Sequence, residues 1–399
     1  MLNRSIAPPI KDAIDYSLAL KPYGHYLLNN GVPVYTIDAG AQDVLQIEMV
    51  FYAGNYFEQR KGVAAATNFM LKNGTLKRTA FQINEDFEYY GAYCNRSCYN
   101  ETAVISLHTL SKHIEKLLPV LQDMLTDSIF PEEELSIYKQ NSQQRLKVNL
   151  QKAEFVAGRL IDSYLYGEKH PYGTYTKLED IEGLTTEEIK KFYQQYYLNG
   201  QCVIFVSGKL PAGLEKLLND HFGQLTVVKP TYTLPVIASH PAEQRKYRIQ
   251  NDESAVQGAI RIGAPFPKRH QKNFKKVVVL NNVFGGFFGS RLMGNIREEK
   301  GYTYGIYSYL QNHIAQSAWI ISTEAGKDVC EKTNQKIKKI QEEKIDEEEL
   351  LLVRNYMIGG ILGDLDGPFQ IMAKWKNIIL NNLDEQYFYE SVQEIKTVS

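Results

Sequence analysis

The stretch 45–70, LQIEMVFYAGNYFEQRKGVAAATNFM, carries a strand, a loop and a helix in succession. Leu45, Ile47, Met49 and Phe51 alternate with Gln46 and Glu48, the two-residue period of a half-buried strand, and the run stops at Ala53-Gly54. A charged loop follows, then the apolar helical segment Val63 to Lys72. The second half of the chain repeats this order. Val256, Gly258, Ile260 and Ile262 alternate and stop at Gly263, and after a charged loop comes the apolar segment Val277 to Phe284.

Working outward from these two stretches, the correspondence continues. Gly91 and Gly301 each open a further strand, and apolar strand residues follow at Val104 to Leu107 and Ala318 to Ile321. Next comes an amphipathic helix in each half, marked by Ile114, Leu117, Leu121 and Met124 in one and Val329, Thr333, Ile337 and Ile340 in the other. Glu-Glu-Glu-Leu then heads a long helix at 132–135 and again at 347–350. The matched points lie 209 residues apart (54 to 263), 210 apart (91 to 301) and 215 apart (132 to 347). Near-constant spacing of features in one order predicts an internal duplication. The expected fold is α+β: two homologous domains, each an antiparallel-rich sheet with helices packed on one face. The expected boundaries are residues 1–226 and 248–399. Between them runs a linker at 227–247, VVKPTYTLPVIASHPAEQRKY, where Pro230, Pro235 and Pro241 interrupt helix and strand patterns alike.

Composition narrows the function. With 399 residues the chain exceeds what one core usually holds, which agrees with two domains. A net charge of −1 gives no electrostatic reason to expect nucleic acid or an anionic membrane, so a protein or peptide partner is expected. No apolar run reaches the roughly 18 residues needed to span a bilayer. The first twenty residues place charges where a signal peptide would need its apolar stretch, so the expected location is the cytoplasm. Cys94, Cys98, Cys202 and Cys330 are too scattered for a disulfide framework and read as reduced thiols.

Two segments carry the chemical signals. GVAAATNFMLKNGT at 62–75 reads like a zinc-binding peptidase helix without its ligands, and REEKGYTY at 297–304 is a second, intact segment. In the inverzincin pattern H-x-x-E-H, two histidines four apart share one helical face and hold zinc, and the glutamate between them polarises water. Here those positions hold Ala65, Asn68 and Phe69. A shift of alignment does not restore them, because no histidine lies between His25 and His108.

Over nearly its whole length the chain resembles the pitrilysin-like zinc peptidases. The similarity is greatest to the two-domain branch that includes mitochondrial processing peptidase, respiratory-complex core proteins and bacterial heterodimeric relatives. The residues that carry the resemblance are GNYFEQRKGVAAATNFMLKNGT, the strand Gly91 to Thr102, FPEEELSIYKQNSQQRL, HPYG at 170–173 and, most specifically, GGFFGSRLMGNIREEKGYTYGIYS. The resemblance places the first zinc histidine at Ala65, the base at Asn68, the second histidine at Phe69 and the third ligand at Arg145. None of these types can do the work: two have no donor atom, an amide is no general base, and a guanidinium repels a cation. With no metal to bind, Ala65, Asn68 and Phe69 are expected to face the core, with Phe69 filling the vacant zinc pocket.

The resemblance also places the family's substrate-holding Arg/Tyr pair at Arg297 and Tyr304. Both are hydrogen-bond donors suited to a developing oxyanion. On the residues alone, Arg297 also reads as a helix-terminal cation before Gly301, and Tyr304 as an ordinary strand aromatic. Asn95 fits the family strand that pairs with extended substrate, whereas Arg96 stands where a small residue is usual. VQEIKTVS ends the sequence where relatives continue with a helix and strand. The implied role is that of a catalytically incomplete, non-zinc subunit. It would hold no cofactor of its own, pair with a homologous subunit bearing the zinc motif, and act on unfolded peptide; purified alone, it could pair with itself. The alternative is a non-enzymatic peptide-binding or assembly module like the respiratory core proteins.

Overall fold

The computed structural model describes residues 11–250, 255–340, 342 and 344–399. The first sheet has six strands: β1 (Gly24–Leu27), β2 (Pro33–Asp38), β3 (Val44–Phe51), β4 (Tyr93–Cys98), β5 (Ala103–Leu110) and β6 (Cys202–Gly208). Their order is β1-β2-β6-β3-β5-β4, antiparallel throughout except for the parallel β2–β6 pair. Its helices are α1 (Val63–Met70), α2 (Ala80–Tyr89), α3 (Ile114–Thr126), α4 (Glu132–Leu150), α5 (Ala153–Tyr166), α6 (Leu178–Glu182), α7 (Thr186–Tyr193) and α8 (Leu214–Phe222).

The second sheet has three strands among the described residues. These are β7 (Gln257–Phe266), β8 (Thr303–Asn312) and β9 (Ser317–Gly326), ordered β7-β9-β8 and antiparallel. The helices of this half are α9 (Phe274–Asn281), α10 (Cys330–Ile340), α11 (Glu347–Asp364), α12 (Pro368–Leu380) and α13 (Glu385–Thr397), with π-helical turns at Asn282–Gly286 and Met293–Glu299. The duplication is visible in detail. β3, β4 and β5 correspond to β7, β8 and β9, and α4 and α5 to α11 and α12. Gly91 and Gly301 enter β4 and β8 with φ of 61° and 63°, the left-handed turn that glycine adopts without steric cost.

Both faces of the first sheet are apolar, and the alternation assigns them. Cys202, Ile204 and Val206 of β6 join one core with the buried residues of α1, α3 and α8, while Val203 and Phe205 join another. That second core is completed by Ile371, Met372, Trp375 and Ile379 of α12 and by residues of α11 and α13. The sequence predicts helices on one face only; in the structure a helix from the opposite domain covers the other. The exchange is reciprocal, since α5 of the first domain packs on β7 and β9. A Cβ on Gly263 would come within 2.9 Å of Leu165 and 3.1 Å of Ile161, so glycine lets α5 approach β7 closely. On the other side Trp375 donates to the Lys21 carbonyl at 2.7 Å, and the Lys376 ammonium lies 2.7 Å from each Glu48 carboxylate oxygen. The segment 227–247 runs back along α5: His240 and Ala242 donate to the Tyr166 and Tyr164 carbonyls, and Tyr247 stacks on Tyr164 at 3.8 Å.

The domains also meet through a polar seam. The buried Glu101 carboxylate accepts from the Tyr172 hydroxyl at 2.6 Å and the Ile314 N–H at 3.0 Å, and Tyr166 donates to Gln311 at 3.3 Å. Gln311 in turn donates to Asp162 at 2.8 Å, and burial pushes the Asp162 carboxyl up to about 6. The folded protein therefore binds this proton more tightly than the unfolded chain, whose Asp titrates near pH ~4. The contribution is present in full below that pH and is lost as pH rises through 6. Asp162→Asn keeps the acceptor for Gln311 and removes the ionisation. It is expected to raise stability at pH 7 by up to about 3 kcal/mol and to leave it unchanged near pH 4. Urea midpoints of both proteins across that range check this, and an equal difference at both ends would disprove it.

Candidate functional site

Helix α1 starts after Gly62, where the Glu58 carboxylate accepts from the N–H groups of Gly62 and Ala64 at 3.0 and 3.2 Å. Its inner face is Val63, Ala64, Ala66, Thr67 and Met70, all buried. Asn68 lies on the same side at 2% exposure and donates to the Tyr197 hydroxyl at 3.1 Å. Asn68, where the resemblance places the family's base, is thus an amide held in a core hydrogen bond. Ala65 is half-buried. Phe69 departs from the expectation: at 41% exposure it does not fill a core pocket. The inner face is already occupied, and the helical turn carries residue 69 past it. Its ring instead leans on Tyr138 of α4 at 5.1 Å, with the Arg96 guanidinium 5.1 Å away on it. Arg96 also donates to the Phe69 carbonyl, one of the last in α1 that the helix leaves without an internal partner. The arginine that departs from the family strand is therefore the cap of the altered helix.

Arg145 is exposed on α4, about two turns beyond Tyr138. It lines a cleft of about 420 Å³ between α4, α5, the loop before α1 and the segment after His170. Ala65 and Phe69 offer no donor, the Asn68 amide is engaged, and Arg145 is cationic, so these residues do not fit zinc. Among the described residues no three His, Cys, Asp or Glu side chains gather as a metal site would require.

Arg297 and Tyr304 stand on adjoining pieces of the second domain. Arg297 belongs to the π-helical turn that ends at Glu299, and its carbonyl accepts from Gly301 N–H at 3.0 Å. Its guanidinium sits 4.7 Å over the Phe288 ring and 3.7 Å from Glu298, with the side chain 35% exposed. Tyr304 lies in a β-bulge, where β8 places two residues opposite one on β9 between Thr303 and Ile306. The Thr303 hydroxyl donates to the Glu324 carbonyl at 2.6 Å and accepts from Gly305 N–H, and the Thr323 hydroxyl donates to the Gly305 carbonyl at 2.9 Å. Bulges re-aim side chains. Tyr304 accordingly projects into solvent at 90% exposure. No hydrogen bond joins Arg297 to Tyr304, or either to the α1 positions, among the described residues.

Asn95 is exposed on β4, an edge strand paired only with β5. Sequence reasoning missed Tyr138, Tyr197 and the capping role of Arg96. One signal was present, since Arg96 and Phe69 are both unusual for the family strand and helix and prove to be partners.

Comparison with known proteins agrees with this fold. Residues 34–172 match the family described as Insulinase (Peptidase family M16), and residues 183–357 match the Peptidase M16 inactive domain. The chain belongs to this insulinase family of peptidases, and it lacks the zinc motif. An uncharacterised zinc protease of Rickettsia felis is 24% identical over 84% of this chain and 82% of its own length. One of Bacillus subtilis is 23% identical over 78% and 76%. Among solved structures, the peptidase inactive domain from Pseudomonas fluorescens superposes with a TM-score of 0.80 at 21% identity, covering 94% of this chain and 92% of its own. A protease from Helicobacter pylori gives 0.83 at 16% identity, covering 96% and 94%.

If Asn68 now serves the core, Asn68→Leu should cost about 1–3 kcal/mol by stranding the Tyr197 hydroxyl, and Asn68→Leu/Tyr197→Phe should recover much of it. Equilibrium urea unfolding measures both. A single mutant as stable as the parent would show that the bond contributes nothing.

Proposed function

We propose that this chain is the zinc-free subunit of a heterodimeric peptidase, presenting Arg297 and Tyr304 to a peptide bound between it and a zinc-bearing homologue. The observation that carries the reading is the bulge that holds Tyr304 outward on a strand packed against the turn that bears Arg297. A core aromatic would have no use for 90% exposure, and two threonine hydroxyls secure the backbone that produces it. Arg297 keeps part of its surface open while the Phe288 ring restrains it. Tyr307 and Tyr309 follow on the same exposed face of β8, an edge strand that adds apolar surface for an extended chain. A guanidinium and a phenol held this way can donate to a substrate carbonyl and stabilise the charge that develops on its oxygen. Ala65, Asn68, Phe69 and Arg145 supply neither metal ligand nor base, so the chemistry of water activation belongs to the partner. Asn95 on the β4 edge is the proposed contact for extended peptide in this chain.

The test is co-expression with the zinc-motif homologue from the same source and assay of peptide hydrolysis. The chain alone should show none. In the pair, Arg297→Ala and Tyr304→Phe should each lower kcat by roughly 10²–10³ with assembly intact. Undiminished turnover in both variants would remove the proposed role and leave assembly as the function.

A further inference from the structure

We propose that the cleft lined by Arg145 and Arg159 is an anion site that takes a carboxylate carried by a peptide, either its C-terminal group or an acidic side chain. Two helical stripes build its walls. Ser142, Arg145, Leu146 and Asn149 share one face of α4 at spacings of three and four, and Phe155 and Arg159 share one face of α5. Lys61 enters from the loop before α1.

The charges do not balance within this cleft. Lys61, Arg145 and Arg159 line it against a single carboxylate, Glu58, which is nearly inaccessible and already accepts from Gly62 and Ala64 with Lys61 at 3.4 Å. Arg159 stacks on Tyr175 at 4.1 Å and donates to the Thr176 carbonyl, an arrangement that fixes the guanidinium yet engages no acid. Arg145 makes no ion pair or hydrogen bond among the described residues. A guanidinium offers five donors in a planar fork that matches a carboxylate, and here two of them flank one recess with donors to spare.

The volume, about 420 Å³, suits a side chain or chain end rather than a folded partner. Leu146 and Phe155 supply apolar wall for the hydrocarbon part of such a residue. A peptide is the source the position favours: Asn100, in the turn between β4 and β5, lines the same cleft, so the recess lies at the end of the unpaired β4 edge. This inference does not rest on pairing with a zinc-bearing subunit.

Calorimetric titration of the full chain tests it. The probes are an N-acetylated apolar pentapeptide with a free C-terminus, the same peptide as its C-terminal amide, and that amide with one internal Glu; inorganic phosphate is the small-anion control. The free acid should bind about tenfold or more tightly than the plain amide, and raising salt from ~50 to ~500 mM should weaken it. Arg145→Ala should abolish the difference without moving the thermal midpoint, and Arg145→Lys should keep part of it. Recovery of affinity by the internal Glu assigns the site to acidic side chains; no recovery assigns it to the chain end. Equal binding of acid and amide, an unaffected Arg145→Ala, or phosphate binding more tightly than the peptide acid would overturn the proposal. None of these readouts involves hydrolysis, so their failure is distinct from failure of the heterodimer reading.

Discussion

Each sheet in this protein is apolar on both faces, and one domain's own helices can cover only one. Ile37, Val50, Val104, Val203 and Phe205 project from the far face of the first sheet. Left bare, each would forfeit roughly 1.5–3 kcal/mol of burial. α12 covers them from the second domain, as α5 covers β7 and β9 from the first. Because α5 and α12 occupy equivalent places in the duplication, the exchange is pseudo-symmetric. It joins the domains through their cores rather than through a linker alone. Glu48 and Lys376 add an ion pair within this contact, largely withdrawn from water.

That constraint positions the functional surfaces. With the back of the first sheet closed, α1 and α4 on its front are free to form the wall that, in an active relative, would hold metal. Here the same wall is sealed at one point by Arg96, Phe69 and Tyr138 and opens beside Arg145 into a cationic cleft. The second sheet, of three strands among the described residues and with β8 at its edge, exposes a bulge, secured by threonine hydroxyls, that leaves Tyr304 in solvent. The residues of α1 and Tyr304 are thus held in opposite ways. Asn68 and Phe69 are engaged in core and stacking contacts, whereas Tyr304 contributes almost nothing to packing.

Much of the fold was legible because the two halves repeat one alternation of period two and period 3.6 in the same order. β3, α3, α4, α10 and α11 fall where strand alternation, amphipathic spacing or the acidic helix head places them, and β7 begins as expected but continues past Gly263 to Phe266. β6 escaped notice because all seven of its residues are buried, so no polar alternation marks it. Phe69 was misplaced for a related reason. Its type favours burial, but the inner face of α1 was already filled by smaller residues, and Tyr138 and Arg96, 69 residues or fewer away along the chain, offered it a partly exposed stack instead.

The duplication, the α+β class and the family were legible before folding, as was the lack of donor atoms in the side chains of Ala65 and Phe69. These follow from local periodicity and from which atoms a side chain possesses, and both are properties of the chain before it folds. That α5 and α12 exchange sheets, that Asn68 is bound to Tyr197, that Arg96 caps α1, and that Arg145 and Arg159 face one recess emerges only once the chain has packed. Each of those depends on groups distant in sequence meeting in space. Which partner a side chain finds is settled by what the packed core leaves exposed.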